Sequence, residues 1–551
     1  MAELIINPHK IRRETGLDLF EDFLFPKLQL ASWKMHGPFL LKVGKNTYAF
    51  GRMHERGYFQ GKVLPTDFKP TYFRAYFLFE PGPEVIHPDA SKAIADLCGG
   101  ESLIAGYDLP VAFYNQLRGK VDLRFKENSC APQGSVVRVS TEYVEAALNT
   151  LREEVGRVAS TLVDGLCTDK KAILKEAMKV SGRGRFKLLD KYLQNNGLSA
   201  VIVSSPLNVQ EIAGVPQKTN RGGVYALYAK DGNEVAVLVT DEAGILRQGD
   251  GGILKCAEFS KLIPEGVIGF EDEDLGMGAF IGLGLESRPV KPASSILRDW
   301  REEWAGNDLA FYIVAGMATK DAIEMALQET HRRVAEQLPI SEADVYGFYT
   351  FQLQRFMDNY GVPLTHEVYF ANLHSGNRSE SPSCFKNYPV TKASNSLKLD
   401  TGVKLYDNYG YLRAVSDIAR TLCFDEVGKE VYDLLEHTML EKGIPAAVPG
   451  ATGEDVYMAS CAEINANIPF LRDRGFIPVT IDKLEEVYTR DVGHLLGKEE
   501  PANLCFKRGE MSRFKPGMVG CYELQWGYRR YSLGIEDSFA VTEEGPIVFT
   551  R

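Results

Sequence analysis

The chain has 551 residues and lacks several features that would set it apart from ordinary globular proteins. It has no run of 18 apolar residues, so no transmembrane helix is expected. The start, MAELIINPHKIRRETG, has no long apolar core, and no signal peptide is expected from it. The nine cysteines (98, 130, 167, 256, 384, 423, 461, 505 and 521) are scattered singly, and no C-x-x-C occurs. This excludes a disulfide framework and points to reduced thiols and a cytoplasmic location. Positive charge is in deficit: the formal net charge is -11, which argues against broad nucleic-acid binding while leaving room for a local basic pocket. Long acidic tails, low-complexity segments and short-period repeats are missing too. Hydrophobic content of 44% is ordinary and lets a chain of this length bury several cores.

Three units are expected along the chain. In RFKLLDKYLQNNGLSAVIVSS (185–205), Phe186, Leu189 and Leu193 recur at helical spacing. Asn195-Asn196-Gly197 ends that helix, and a β-branched strand follows at Ala200 to Val203. Further strands are predicted at EVAVLVT (234–240) and GVIGFE (266–271), which makes 185–310 an α/β unit. SLIAGYD (102–108) has the same pattern as GVIGFED (266–272), so residues 1–150 are expected to duplicate that fold. Residues 151–184 read as a helical connector. GMGAFIGLG (276–284) lacks the strand–turn–helix spacing of a dinucleotide site and reads as a loop. The third unit, 311–551, is predicted to open with a helix over 319–338, with Thr319 as its cap.

Within the third unit, LKLDTGVKLYDNYGYLRAVSDIARTLCF (397–424) places acids among apolar, strand-like residues. Asp407-Asn408-Tyr409-Gly410 has the residues of a β-turn. If Asp407 faces Gly410, the same register sets Asp400 directly opposite Asp417, on one face. Two like charges so placed call for a cation between them. His494 follows in RDVGHLLGKEEP, and Glu523 and Glu536 lie in two later strand-like runs. Four carboxylates and an imidazole suit one or two divalent ions of Mn, Fe, Co or Zn type, whereas a sulfur site is not implied despite Cys521 nearby. A metal-bound water becomes a nucleophile near neutral pH.

These motifs, LDTG…SDIART, GHLLG, GMVGCYEL and GIEDSFAVTEEGPIVFT, resemble those of the pita-bread metallopeptidases: aminopeptidase P, prolidase, methionine aminopeptidase and creatinase. The resemblance implies an α+β protein, with a C-terminal pita-bread catalytic domain preceded by two α/β domains like the creatinase N-terminal domain. It implies metal ligands at Asp400, Asp417, His494, Glu523 and Glu536, with Asp407 a rival for the first position. Glu523 would also be catalytic as a proton shuttle, manganese the favoured metal, and a homodimer the expected assembly.

Departures from the family pattern bear on the substrate. HSGNRSESPSCFKN has Cys384 near the place of one family histidine, and His374 precedes that place. Lys498 or Glu499 stands where a second histidine is usual. Lys498, His374, Cys384 and Arg529 are candidate substrate contacts, although Arg529-Arg530 reads better as a solvated hairpin tip and Arg420 as a support for its strand. The expected function is metal-dependent hydrolysis of a small amide or related C–N bond in a small molecule or short peptide, diverged from Xaa-Pro peptidase activity. Xaa-Pro peptidase activity itself, a lyase of the dimethylsulfoniopropionate type and a non-catalytic binding module are the alternatives.

Overall fold

The computed structural model describes the chain except for residues 17–28, 31–34, 52–67, 74–85, 88, 127–133, 180–183, 221, 241–253, 362, 377–386, 489 and 500–501. Two α/β units come first. In the first, strands Ala2–Ile5, Phe39–Val43, Asn46–Gly51, Leu103–Ala105 and Leu123–Phe125 lie in the spatial order third, second, first, fourth, fifth. The first three are antiparallel neighbours, and the last two run parallel to the first. In the second unit, Ala200–Val203, Val224–Ala229, Glu234–Thr240, Ile268–Phe270 and Val290–Pro292 repeat that order and those directions.

The local chemistry repeats as well. Each first strand runs into an eight-residue helix opened by an Asn or Ser cap with proline next to it, Asn7-Pro8 or Ser205-Pro206. Each of these helices is closed by a left-handed glycine, Gly16 or Gly214. SLIAGYD and GVIGFED supply the equivalent fourth strands.

The two units differ at one edge. The first sheet extends through Phe68–Phe73, parallel to its third strand, and the second through Gly134–Ser140, antiparallel to its third. Residues 134–148 therefore build the second unit, not the first as expected: the β-branched GSVVRVS run takes the free edge of Glu234–Thr240, and Val144 and Leu148 of the next helix join that core. GMGAFIGLG, expected as loop, contains a short helix, Met277–Gly282.

The connector helices Arg152–Asp164 and Lys171–Ala177 pack against a helix running from Leu309 to Ala335. That helix begins ten residues before Thr319, the expected cap. Its first turns, LAFYIVAGMA, are buried all round and carry no amphipathic period. Thr319 lies inside it, its hydroxyl donating to the Ala315 carbonyl.

The C-terminal sheet has the order Leu364–Ser375, Ser396–Asp407, Ile418–Cys423, Tyr531–Thr542, Val519–Tyr528, Gly493–Leu495. Leu412–Val415 pairs with the second strand and Gly545–Val548 with the fourth. One face carries Leu399, Leu524 and Ile535 into the helical cores. The opposite face carries the acids. This alternation answers why carboxylates occur in apparently apolar strands: with period two, every second residue leaves the core.

Candidate metal centre

The turn in 397–424 forms as predicted at Asp407, but its register does not. Asp407 Oδ1 accepts the Tyr409 and Tyr411 amides, and the Gly410 amide donates to the Asp407 carbonyl. Gly410, at φ 87, makes a three-residue loop, so the strands close on Asp407 and Tyr411. A bulge between Leu405 and Tyr406, with Arg413 as the extra residue opposite, adds a second shift. Asp400 therefore pairs with Ala419, not Asp417. The total slip is two residues, which preserves the face, so both acids still point the same way.

Asp417 lies in the gap between Leu412–Val415 and Ile418–Cys423. There Ser416 replaces ordinary pairing: its amide donates to the Val403 carbonyl, and its hydroxyl accepts the Val403 amide. Gly402 is required by this crossing, because a Cβ there would sit 2.2 Å from the Ser416 carbonyl oxygen. The glycine of LDTG thus lets the chain carrying the second aspartate approach the first.

A row of directly paired residues crosses the sheet: Asn372, Asp400, Ala419, Glu536 and Glu523. Direct partners share a face, and so do residues two apart. Cys521 joins this face two residues before Glu523, and His494 pairs with Cys521. His494 Nε2 is 3.6 Å from Asp417 Oδ2 and 3.5 Å from Cys521 Sγ. Asp417, His494, Cys521 and Glu536 each offer a ligand atom within 4.8 Å of the others, and all four are buried. Glu536 Oε1 has no hydrogen-bond partner among the described residues. Buried oxygen, nitrogen and sulfur donors converging this closely fit a divalent ion. The thiol belongs to this set, contrary to the expectation that sulfur plays no part.

Electrostatics describe the same surplus of negative charge. Burial, followed by the charges of Asp417, Glu523 and Asp400, pushes the Glu536 carboxyl well above its ordinary range. Burial also raises Asp400; Lys398 opposes the rise and Glu523 adds to it. The Cys521 thiol is pushed up by burial and then by Glu536 and Asp417.

Residues not anticipated from the sequence attend the other acids. Lys398 Nζ donates to Gln525 Oε1 at 2.8 Å and lies 3.6 Å from Asp400 Oδ2. Gln525 Nε2 donates to the same Asp400 oxygen at 3.1 Å. Arg490 Nη2 donates to Glu523 Oε2 at 2.5 Å. Lys398 and Gln525 each stand two residues from an expected ligand in a strand, so period two alone would have placed them on the site face. Arg490 lies outside any strand and carried no such signal.

The remaining candidates are dispersed. Lys498 is buried, with Nζ 2.8 Å from Asp308 Oδ2 and 3.1 Å from Glu211 Oε1. Arg529 lies at the exposed tip between Val519–Tyr528 and Tyr531–Thr542, stacked over Tyr528. His374 is buried and pairs with Lys398, on the acids' face. Arg420 donates to Asp537 Oδ1 at 2.6 Å and to the Glu536 carbonyl, bracing the ligand strands. Cys384 lies outside the described residues, as do Pro382 and Ser383 beside it.

Residues 312–543 match the model of metallopeptidase family M24. In fold the chain is similar to the prolidase from Pyrococcus horikoshii OT3 (19% identity, TM-score 0.50, covering 67% of this chain and 98% of that one). It is also similar to an Xaa-Pro dipeptidase from Bacillus anthracis (17% identity, TM-score 0.50, covering 67% of this chain and 97% of that one). No curated protein matches it. Among the described residues, no helix is long and apolar enough to cross a membrane.

Proposed function

We propose that this protein is a metal-dependent hydrolase that cleaves a small amide or related C–N bond, with Asp400, Asp417, His494, Glu523 and Glu536 as its metal centre. The observation that carries this reading is the convergence of those side chains on one face of one sheet, with Glu536 Oε1 buried and without a hydrogen-bond partner among the described residues. A divalent ion held there would supply a bound water acidic enough to act as nucleophile near neutral pH. Glu523 is the residue that moves the proton, and Arg490 fixes its Oε2. Asn372 and Gln525 orient Asp400 from either side of its strand. The four carboxylates are 1–5% exposed, which restricts access to small substrates.

A second reading, hydrolysis of Xaa-Pro peptides with manganese, draws support from the family match and from the likeness in fold to a prolidase and an Xaa-Pro dipeptidase. Against it stands the sequence: Lys498, where a family histidine is usual, is engaged by Asp308 and Glu211. Losing a hydrogen-bond donor to the tetrahedral intermediate costs about 100- to 1000-fold in rate. The test is turnover in water enriched in heavy oxygen, with the protein supplied with Mn, Fe, Co or Zn and offered small amides and Xaa-Pro dipeptides. Solvent oxygen in the carboxylate released from a small amide, with Xaa-Pro turnover far slower, is the expected result. Rapid Xaa-Pro turnover would establish the second reading, and cleavage without solvent oxygen would establish a lyase instead.

A further inference from the structure

His494 is the imidazole of the metal centre, and a chain of hydrogen bonds leads away from its ring. Its Nδ1 stands 3.0 Å from the Leu495 carbonyl oxygen, nearer than the Cys521 sulfur at 3.6 Å. A proton held there leaves Nε2, the nitrogen 3.6 Å from Asp417 Oδ2, bare for an ion. The Leu495 amide donates to the Leu504 carbonyl at 3.0 Å, and the Leu504 amide donates to Glu302 Oε2 at 3.3 Å. The Asn503 amide donates to the other oxygen of that carboxyl, Oε1, at 2.6 Å. The Val492 and Phe506 amides close the same ribbon, donating to the Phe506 and Gly493 carbonyls.

Glu302 comes from another part of the chain. It lies in the last turn of the helix Ser294–Trp304, in the second α/β unit, and is 2% exposed. The helix reaches the ribbon where Gly497 leaves room, since a Cβ there would meet Glu302 Cγ at 3.2 Å. The neighbouring Arg301 donates to the Gly497 carbonyl at 3.2 Å and pairs with Glu499. Burial, followed by the charge of Asp299, pushes the Glu302 carboxyl up to about 8, and the Asn503 and Leu504 amides oppose the rise. With or without its proton, both oxygens keep lone pairs for those amides. A buried carboxyl that exchanges water for two adjacent amides of one ribbon fixes that ribbon in place.

We propose that Glu302 is a positioning residue of the metal centre: through Leu504 and Leu495 it fixes the His494 ring with Nε2 toward Asp417. The inference rests on the metal-dependent reading above and extends the centre's support into the second α/β unit. A ligating histidine commonly gives its second nitrogen to a carboxylate or a carbonyl, which sets the ring's orientation. Here the carbonyl is that of Leu495, and the carboxyl stands behind it. Asn503 provides a contrast. Its side chain ties the same ribbon to the same helix, Nδ2 donating to the Ser295 carbonyl at 2.6 Å and to Asp299 Oδ1 at 2.9 Å, but these bonds are outside the chain that ends on His494.

The test is a cobalt titration of the chelator-stripped full chain, read by visible absorption, which reports both affinity and the surroundings of the ion. Glu302→Gln keeps the size of the side chain, but its amide nitrogen cannot accept a hydrogen bond. The shorter bond to Asn503 keeps the remaining oxygen, and the bond to Leu504 is lost. Cobalt should bind about 10-fold more weakly to Glu302→Gln, with a shifted band, and up to about 100-fold more weakly to Glu302→Ala. If the alanine variant does not fold, the glutamine variant decides alone. Asn503→Ala should lose less affinity than Glu302→Gln. Wild-type affinity or an unshifted band in Glu302→Gln, or an equal or larger loss in Asn503→Ala, would overturn the positioning role. Any of these in a chain whose wild type binds cobalt would sink this inference and leave the proposed function standing. No uptake by wild type would remove both.

Discussion

The protein buries two clusters of charge, and they are built on opposite terms. Where the second α/β unit meets the C-terminal unit, the anions Glu211, Asp308 and Asp407 are matched by Arg152, Arg185, Arg413 and Lys498. Asp308 alone is approached by Lys498 at 2.8 Å, Arg152 at 2.9 Å and Arg413 at 3.7 Å. Burial by itself would raise Glu211, but Arg185 and Lys498 overcome it and hold the carboxyl at about 2. Asp308 is likewise held well below its ordinary range, burial again being overcome by Lys498 and Arg152. In the carboxylate row the balance is reversed, and Glu536 is pushed up. Opposite charges that pair lock an interface, whereas the carboxylates of the row raise one another. The difference separates Lys498, which the sequence made a candidate for substrate, from Glu536.

Truncation should therefore have opposite signs in the two clusters. Asp308→Ala strips the anion from three buried cations and should cost about 3–5 kcal/mol of stability, measured by denaturant unfolding. Asp417→Ala, in protein stripped of metal, relieves repulsion and should leave stability unchanged or raised. Equal losses from both would erase the distinction.

The interface should also reveal itself by pH. The Glu211 carboxyl is depressed from 4.5 to about 2. A depressed acid contributes stability above its unfolded value and loses it as pH falls through the folded one. Wild type should thus lose on the order of 3 kcal/mol between pH 4.5 and 2 from this group. Glu211→Gln should be less stable at neutral pH and flatter across that window. Parallel curves for the two proteins would mean that Glu211 is not held by its cations.

The site should respond to metal where the interface does not. An ion at a hundred times its dissociation constant stabilises the state it binds by about 2.7 kcal/mol. Wild type should gain that on adding cobalt, Asp417→Ala should gain nothing, and Asp308→Ala should gain as much as wild type. A shift retained in Asp417→Ala would remove that residue from the ligands.

How far the sequence reached depended on the kind of signal. The duplicated α/β units were legible from two seven-residue strands, because a strand flanked by the same turn residues implies the same neighbours. Acids inside the C-terminal strands were legible because a polar residue stands out in an apolar run. The first turns of the Leu309–Ala335 helix were not, since a segment buried all round has no period. The Gly134–Ser140 strand was assigned to the wrong unit, because sequence order does not say which sheet edge is free. Lys398 and Gln525 sat in plain view at the right spacing; reading the strands for carboxylates alone passed over them.

The smallest effect tests the turn that set the register. Asp407 was the rival first ligand, and it closes the loop at the far end of its strand from Asp400. Its Oδ1 accepts two backbone amides, and its Oδ2 lies 3.5 Å from Arg413 Nη1. Asp407→Asn keeps an oxygen for the amides and loses only the charge toward Arg413, so it should cost about 1 kcal/mol. Asp407→Ala also leaves the Tyr409 and Tyr411 amides without that acceptor and should cost about 2 kcal/mol. Neither should change cobalt uptake, because the two-residue slip between the loop and Asp400 is absorbed by the bulge opposite Arg413 and the face is kept. Loss of cobalt from either variant would mean that the loop, and not the strand register, holds the first aspartate in place.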